Sequence, residues 1–480
     1  MKQQAVITYL ILITALLPTA VCGQSLQIVD LPIASVTSTS ATITFQTNVE
    51  AIGGITYNSP NGWTSVGDSP GTNHVITVSG LAADRTYSFF PFAYSSSAVF
   101  GQTSTFRTSS TTTPPPLLQI NPAVGYIGRW DFSDPAGARA SWSGSAVQAS
   151  FIGTSVSATI YTQDIHDNQN PYYVAIVDGG TPTRLQGTVG TYTYPIATSL
   201  ANGSHTVRIS REFEGWNGVT QFIGFNIDGQ LIAPPAPAHL QMEVIGDSIT
   251  AGYGNVGPIG YPSVCSGVNT NNESNYMAYG SVLGRMISAD VTTIAQTGNG
   301  VYRNNLGQTN SPTTPTMIAL YLETLTYGNG MSLNQYPFPA SGQTVKPMDI
   351  VLVDLGGNDL AQGMPSAFEF ESAYQTLIGE IRANNPNAQI LLTLGPMNYD
   401  PNLSTVRRYL NDLVNYYGSI GDTRVHQLYV DGQNPNLGVG CDYHPSPAED
   451  LRMAQQIGGQ IHQILGITVS GTDPNPLLSW

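Results

Sequence analysis

A serine, an aspartate and a histidine in the second half of the chain have the residue types that acyl transfer requires. Ser248 stands in Gly-Asp-Ser, and Asp442 and His444 stand in Cys-Asp-Tyr-His. A serine hydroxyl can attack a carbonyl carbon, and a histidine can take its proton near neutral pH. Asp442 can hold the other ring nitrogen of His444 if the loop between them bends back. Together these residues indicate a serine nucleophile with a histidine base.

Acyl transfer also needs hydrogen-bond donors for the oxyanion that develops on the substrate. The candidates are the amides of Ser248 and Gly298 and the side chain of Asn358, which follows two glycines. Glycine at 298 allows close approach of the backbone. Thr250 stands where the second glycine of Gly-x-Ser-x-Gly would be, so this is not the nucleophile elbow of α/β-hydrolases. Taken alone, Ser248 is explained equally well as a helix N-cap.

The elements that must position these residues lie in residues 239–467. Apolar runs alternate there with helical patterns, which predicts an α/β domain with a parallel sheet covered on both faces. Loops at the carboxyl edge of such a sheet converge, so we expect the serine, glycine, asparagine and histidine segments to meet. The predicted strands are 240–245, 291–295, 349–355, 389–394 and 426–430, and the predicted helices are 276–288, 366–384, 405–417 and 447–465.

Two β-rich segments precede this domain. In the first, apolar and hydroxyl residues alternate, and Leu81 and Tyr87 match a tyrosine corner, which predicts a fibronectin type III-like β-sandwich. In the second, short strands recur at even spacing, which predicts a jelly-roll β domain. The fold class is therefore multidomain, with two N-terminal β-sandwich domains followed by an α/β domain. The predicted segments are the sandwich (24–108), a Thr/Pro linker (109–116), the jelly roll (117–232), a Pro/Ala linker (233–238), the α/β domain (239–467) and a C-terminal tail (468–480).

The N-terminus has the parts of a secretory signal peptide. Lys2 precedes a short apolar run, and small residues follow up to Gly23, where we expect cleavage. The apolar run is shorter than the ~20 residues that span a bilayer, so a membrane anchor is the weaker interpretation. We expect a secreted, extracellular protein with no membrane contact after signal removal.

Two cysteines, Cys265 and Cys441, remain once the signal peptide is removed. In an oxidising compartment such a pair most simply forms one disulfide, and the alternative is two buried thiols. Asn202, Asn272 and Asn402 stand in sequons that a eukaryotic host would be able to glycosylate.

Composition excludes some partner classes. The 480 residues include 16 Lys and Arg against 31 Asp and Glu, a net charge of −15, which argues against nucleic acid and anionic membranes. No Cys or His cluster has metal-ligand spacing, and no phosphate-binding glycine loop is present, so no cofactor is expected. We expect a monomer.

The ordered segments around Ser248, Gly298, Asn358 and His444 resemble those of the SGNH, or GDSL, hydrolase superfamily. Gly-Asp-Ser-Ile-Thr-Ala-Gly-Tyr-Gly, Gly-Asn-Gly-Val-Tyr-Arg-Asn and Cys-Asp-Tyr-His-Pro-Ser are similar to carbohydrate esterase family two, whose members carry a jelly-roll domain ahead of the SGNH domain. The resemblance implies Ser248 as nucleophile, His444 as base and Asp442 as triad acid. It also implies that Gly298 and Asn358 donate to the oxyanion.

The chain departs from these patterns at two positions. Asp442 stands two residues before His444, where superfamily members usually have three. Tyr443 stands where a sugar-stacking tryptophan is expected. Tyr253, Tyr302 and Tyr443 are candidate substrate-binding residues, with core packing as the alternative.

The leading hypothesis is a secreted serine esterase that removes O-acetyl groups from plant cell-wall polysaccharides such as xylan or glucomannan, without a cofactor. One alternative is a GDSL esterase acting on pectic or lipid esters. The other is a glycan-binding or adhesion protein with a vestigial esterase domain. Because every catalytic residue type is present, the sequence favours the enzyme.

Overall fold

A computed structural model describes most of the chain, in two compact units, 1–111 and 112–480, which are considered separately. No helix among the described residues is both long and apolar enough to cross a bilayer. The predicted signal peptide and residues 110–116 of the predicted linker lie outside the description. The described residues are 25–29, 33–59, 62–83, 85–95, 97–109, 121–163, 169–267, 269–311, 313–326, 333, 335–339 and 345–478.

The first unit is antiparallel β structure built around one long strand. The first half of β2 pairs with β1 and β4, and its second half pairs with β3 and β5. Side chains of β5 alternate between buried and partly exposed, as expected for a half-buried sheet. The Tyr87 hydroxyl accepts from the amide of Ala82 at 2.8 Å, as a tyrosine corner would. The fibronectin-like assignment stays a prediction. The strands are β1 (Ile33–Val36), β2 (Ser40–Ser59), β3 (Gly62–Gly67), β4 (Gly71–Ser79), β5 (Thr86–Tyr94), β6 (Ala98–Phe100) and β7 (Ser104–Arg107).

The second unit begins with a β domain of two antiparallel sheets. One sheet has the order β13-β12-β15-β10-β17, with β8 also paired to β10, and the other has the order β14-β11-β16-β9. Apolar side chains from both sheets form the core between them. The jelly-roll assignment stays a prediction. The strands are β8 (Val124–Ile127), β9 (Ala138–Ala140), β10 (Ala146–Gly153), β11 (Val156–Thr162), β12 (Tyr172–Val177), β13 (Thr183–Gln186), β14 (Gly190–Ala197), β15 (Gly203–Arg211), β16 (Thr220–Ile227) and β17 (Gln230–Ile232).

The α/β domain follows, and its five-stranded sheet is parallel, as predicted. The sequences of these strands are continuous apolar runs because helices cover both faces of the sheet. A buried ion pair between Arg129 and Glu243 at 3.0 Å joins the β domain to the first strand. The strands are β18 (Leu240–Gly246), β19 (Ala289–Ala295), β20 (Ile350–Asp354), β21 (Gln389–Thr393) and β22 (Val425–Gln427). The helices are α1 (Ser248–Ala251), α2 (Tyr279–Ile287), α3 (Met317–Leu320), α4 (Ala367–Asn384), α5 (Asn402–Ser419) and α6 (Pro447–Leu465).

The strand order places the serine where ligands bind in such sheets. The sheet runs β19-β18-β20-β21-β22, so the strand order reverses around β18. In open α/β sheets, ligands bind in the crevice at such a switch point, beyond the carboxyl ends of the strands. Ser248 lies two residues past the end of β18, at this crevice.

Candidate active site

Ser248 is the first residue of α1, directly after the N-cap. The N-cap is Asp247, whose side chain accepts from the amide of Ile249 at 3.0 Å. The N-cap alternative for Ser248 is therefore wrong, and its hydroxyl is left for another partner. The serine is largely buried, with 7% of its surface exposed.

Ser248 and His444 form a hydrogen-bonded pair. The serine Oγ lies 2.8 Å from Nε2 of the imidazole, within the range expected of a nucleophile and its base. His444 lies in the loop that precedes α6. This loop packs on the loop that follows α1. The amide of Cys441 donates to the carbonyl of Gly254 at 3.0 Å. A Cβ atom at Gly440 would lie 2.1 Å from that carbonyl oxygen, so only glycine fits there.

A main-chain carbonyl orients the histidine. Nδ1 of His444 lies 3.2 Å from the carbonyl oxygen of Cys441. If Nδ1 carries the ring proton and donates it to this carbonyl, Nε2 is left as the acceptor of the serine proton. Burial lowers the pKa of His444 to about 4, so the imidazole is neutral near pH 7 and able to act as a base.

Asp442 does not occupy the position expected of a triad acid. Its carboxylate accepts from the hydroxyl of Tyr253 and from the amide of Gly267, each at 2.9 Å. Asp442 and Tyr443 both have left-handed backbone, with φ of 49° and 63°, and the partner of Nδ1 is the carbonyl oxygen of Cys441 instead of this carboxylate. The expectation that Asp442 holds the imidazole is corrected accordingly: the residue before it, Cys441, supplies the acceptor.

The three candidate oxyanion donors stand on the loops that meet at the crevice. The amide of Ser248 belongs to the first turn of a helix, where N–H groups have no intrahelical partner. Gly298 has φ of 80°, a conformation that favours glycine. Nδ2 of Asn358 donates to Asp247 at 2.9 Å and to the carbonyl of Asn299 at 3.0 Å. Asn358 thereby joins the first three predicted segments at one point.

Two residues at this junction were not predicted. Asp247 accepts from Asn358, and Asn299 presents its carbonyl to the same amide. Burial, together with the neighbouring carboxyl of Asp354, raises the pKa of Asp247 well above its usual range. Asp247 was visible in the Gly-Asp-Ser motif, but its position between the serine and Asn358 depends on tertiary structure.

The three candidate substrate-binding tyrosines lie in different surroundings. The ring centre of Tyr253 lies 4.5 Å from that of His444, beside the base. Tyr302 packs against the hydrophobic core, and its hydroxyl donates to Glu369 at 2.7 Å. Tyr443 is 51% exposed immediately before His444. Contact with the substrate stays a prediction for all three.

The predicted disulfide is present between Cys265 and Cys441. It links the loop after α1 to the loop that carries His444. Because the carbonyl of Cys441 orients the imidazole, the bridge fixes the residue on which that orientation depends.

Comparison with known proteins matches the β domain and the α/β domain of the second unit to one family each. Residues 126–235 match the Carbohydrate esterase 2 N-terminal family, and residues 244–448 match the GDSL-like Lipase/Acylhydrolase family. The chain is 34% identical to Cellulase/esterase CelE of Acetivibrio thermocellus over 72% of this chain and 40% of CelE, so it spans less than half of that relative. It is 26% identical to an acetylxylan esterase / glucomannan deacetylase of Cellvibrio japonicus, over 68% of this chain and 86% of the relative.

A solved structure has the same fold over the second unit. It is a family two carbohydrate esterase from Clostridium thermocellum in complex with cellohexaose. The match has 33% identity and a TM-score of 0.62, and it covers 72% of this chain and 99% of that one. With the two domain matches and a Ser248–His444 pair at the switch point, these likenesses show that the chain belongs to carbohydrate esterase family two.

Proposed function

We propose that this protein is a secreted serine esterase that removes O-acetyl groups from plant cell-wall polysaccharides, xylan or glucomannan, through an acyl-enzyme intermediate. The observation that carries the proposal is the 2.8 Å contact between Ser248 Oγ and His444 Nε2. The substrate class is supported by the name of the Cellvibrio japonicus relative, an acetylxylan esterase / glucomannan deacetylase.

In the first half of the reaction, Ser248 Oγ attacks the acetyl carbonyl carbon while His444 Nε2 takes the serine proton. The Cys441 carbonyl oxygen, 3.2 Å from Nδ1, stabilises the imidazolium that forms. The amides of Ser248 and Gly298 and the amide group of Asn358 donate to the oxyanion. Asn358 now donates to Asp247 and to the carbonyl of Asn299, and the oxyanion would replace one of these two acceptors.

Collapse of the tetrahedral intermediate expels the sugar hydroxyl, which receives its proton from His444. The acetyl group then remains on Ser248 as an ester. In the second half, His444 accepts a proton from water as the water oxygen attacks this ester, and acetate leaves as Ser248 regains its proton. No step requires a carboxylate partner for the histidine.

Tyr443 is the residue we propose for contact with the sugar. Its ring is half exposed beside the base, and left-handed backbone in a non-glycine residue is often associated with functional sites. An aromatic face of this kind suits a sugar ring. Tyr443→Ala is expected to lower activity on a polysaccharide more than on a small acetate ester.

Acetate release from a panel of acetylated polymers tests the proposed activity. Wild-type protein is expected to release acetate from acetylated xylan or glucomannan, and Ser248→Ala is expected to release none. NMR of the remaining acetyl groups would identify the hydroxyl position that is attacked. Release from pectin or lipid esters alone would contradict the substrate class. Folded wild-type protein that hydrolyses no ester would contradict the enzyme itself.

Binding of polysaccharide is a second candidate function that accompanies the first. The observation that favours it is the structure of a relative in complex with cellohexaose. Affinity of Ser248→Ala for an insoluble polysaccharide would establish binding independently of catalysis. Identification of the mature N-terminus in culture medium would test secretion, for which the bridged cysteines provide support.

A further inference from the structure

Glu214 of the β domain contacts the loop that carries Gly298. The amide of Thr297 donates to one carboxylate oxygen of Glu214 at 2.6 Å, and the Thr297 hydroxyl donates to the other. Thr297 directly precedes Gly298 in the chain. One carboxylate therefore holds both polar groups of the residue next to a proposed oxyanion donor.

The segment that carries Glu214 is itself rigidly held. Arg211, buried at the end of β15, donates to the carbonyl oxygens of Phe213, Glu214 and Gly218 at 3.1, 3.2 and 2.9 Å. At Gly215 a Cβ atom would lie 1.9 Å from the methyl group of Thr326, so the segment is pressed against the α/β domain. Glu214 is thus a fixed point supplied from outside the α/β domain.

The loop needs such a support because Gly298 has few conformational restraints of its own. On the far side, the carbonyl of Gly298 accepts from the amide of Asn305 at 2.9 Å. Glu214 anchors the near side through Thr297. The two contacts fix the backbone on both sides of the Gly298 amide, and the placement of an oxyanion donor is sensitive to small displacements.

Burial of a carboxylate between two domains costs desolvation free energy. Glu214 is fully buried, and burial raises its pKa to about 7. A well-packed apolar residue often stabilises such a position equally well or better. The two hydrogen bonds from Thr297 are what an apolar residue at 214 would lack.

We propose that Glu214 is a positioning residue for the oxyanion hole, so that the β domain completes the catalytic site of the α/β domain. Glu214 acts through Thr297 and does not touch the substrate. This inference rests on the proposed function, since it assigns the Gly298 amide to the oxyanion.

The test compares variants of the full chain on para-nitrophenyl acetate. Thr297→Val removes the hydroxyl at nearly constant volume, and Glu214→Gln removes the negative charge. Both are expected to lower kcat about tenfold, less than the loss of a whole oxyanion donor, with KM within about twofold of wild type. Thr297→Ser keeps the hydroxyl and is expected to restore kcat. Because the two residues form one contact, the double variant is expected to cost little more than either single variant.

Glu212→Gln is the matched control. Glu212 is equally buried on the same segment, but its carboxylate accepts from the Ser274 hydroxyl instead of the Gly298 loop. This variant is expected to show a similar change in Tm and an unchanged kcat. A general effect of charge removal on domain packing would lower kcat in both glutamate variants.

A second readout does not depend on the natural ester. Diethyl para-nitrophenyl phosphate is expected to phosphorylate Ser248, with para-nitrophenolate leaving and His444 taking the serine proton, and intact mass gives the rate. Folded Thr297→Val and Glu214→Gln are expected to react about tenfold more slowly than wild type. Rates and kcat within twofold of wild type would overturn the inference, as would wild-type protein that is never labelled. Normal labelling without acetate release from any polysaccharide would overturn only the proposed substrate.

Discussion

Nδ1 of His444 lies 3.2 Å from the carbonyl oxygen of Cys441, while the carboxylate of Asp442 accepts from Tyr253 and Gly267. The base is thus oriented by the main chain three residues before it. A carbonyl oxygen fixes the position of the ring proton as a carboxylate would, but its partial charge stabilises the imidazolium less than the full charge of a carboxylate.

Asp442→Asn is expected to lower kcat less than about tenfold, because the variant leaves the Cys441 carbonyl in place. A true triad aspartate costs about 10⁴-fold when changed to asparagine. His444→Ala is expected to cost about 10³-fold or more, since it removes the base. His462→Ala is the matched control, because His462 also contacts a main-chain carbonyl, that of Ile467, away from the site. A loss of 10³-fold in Asp442→Asn would restore Asp442 as the triad acid.

The pH profile of kcat/KM should report the low pKa of His444. The base acts only when neutral, so activity rises with pH through the pKa of the free enzyme and then levels off. Burial lowers that pKa to about 4, which places the acid limb well below the ordinary histidine value of about 6.5. Measured rates on para-nitrophenyl acetate, with circular dichroism at each pH to confirm folding, check this. An acid limb near pH 6.5 in folded protein would show that the base is not desolvated.

Loss of the Cys265–Cys441 disulfide is expected to cost both stability and activity. The bridge closes a loop of 176 residues, and loops of this kind stabilise by about 2–5 kcal/mol through restriction of the unfolded chain. Cys265→Ala should lower Tm, and it should lower kcat because Cys441 orients His444. Alkylation of denatured, unreduced protein followed by intact-mass measurement is the control, and two labelled thiols would refute the bridge.

Asn358→Ala is expected to lower kcat by about 10²–10³-fold if its amide donates to the oxyanion. The substitution also breaks the contacts to Asp247 and Asn299, so a Tm measurement must accompany the kinetics. Asn387→Ala serves as a control, because the Asn387 side chain accepts from Arg424 at the surface. Retention of kcat within about threefold in a folded Asn358→Ala protein would remove this residue from the oxyanion hole.

Much of the α/β domain was predictable because its elements are long and strongly patterned. Helix α6 has the predicted bounds, and α4 begins one residue after the predicted start because Ser366 is its cap. The strands differ from prediction by one or two residues at most ends. The last strand is the exception, since pairing stops at Gln427 although the apolar pattern continues to Val430.

The details that were not predicted depend on backbone direction and on distant contacts. Spacing alone allowed Asp442 to hold His444, but Asp442 lies in a turn of left-handed residues and its carboxylate accepts from Tyr253 and Gly267. Glu214 lies 83 residues before Thr297 in another domain, so no local motif connects them. In the first unit, β2 continues through a change of pairing partners, and nothing in the sequence pattern marks that change.

Identification of the residue labelled by diethyl para-nitrophenyl phosphate tests whether Ser248 is the nucleophile and His444 its base. One phosphoryl group per chain is expected on the peptide that contains Ser248, with complete loss of acetate release. Ser248→Ala should remain unlabelled, and His444→Ala should react far more slowly than wild type. A label on another residue, or continued acetate release by Ser248→Ala, would show that Ser248 is not the nucleophile.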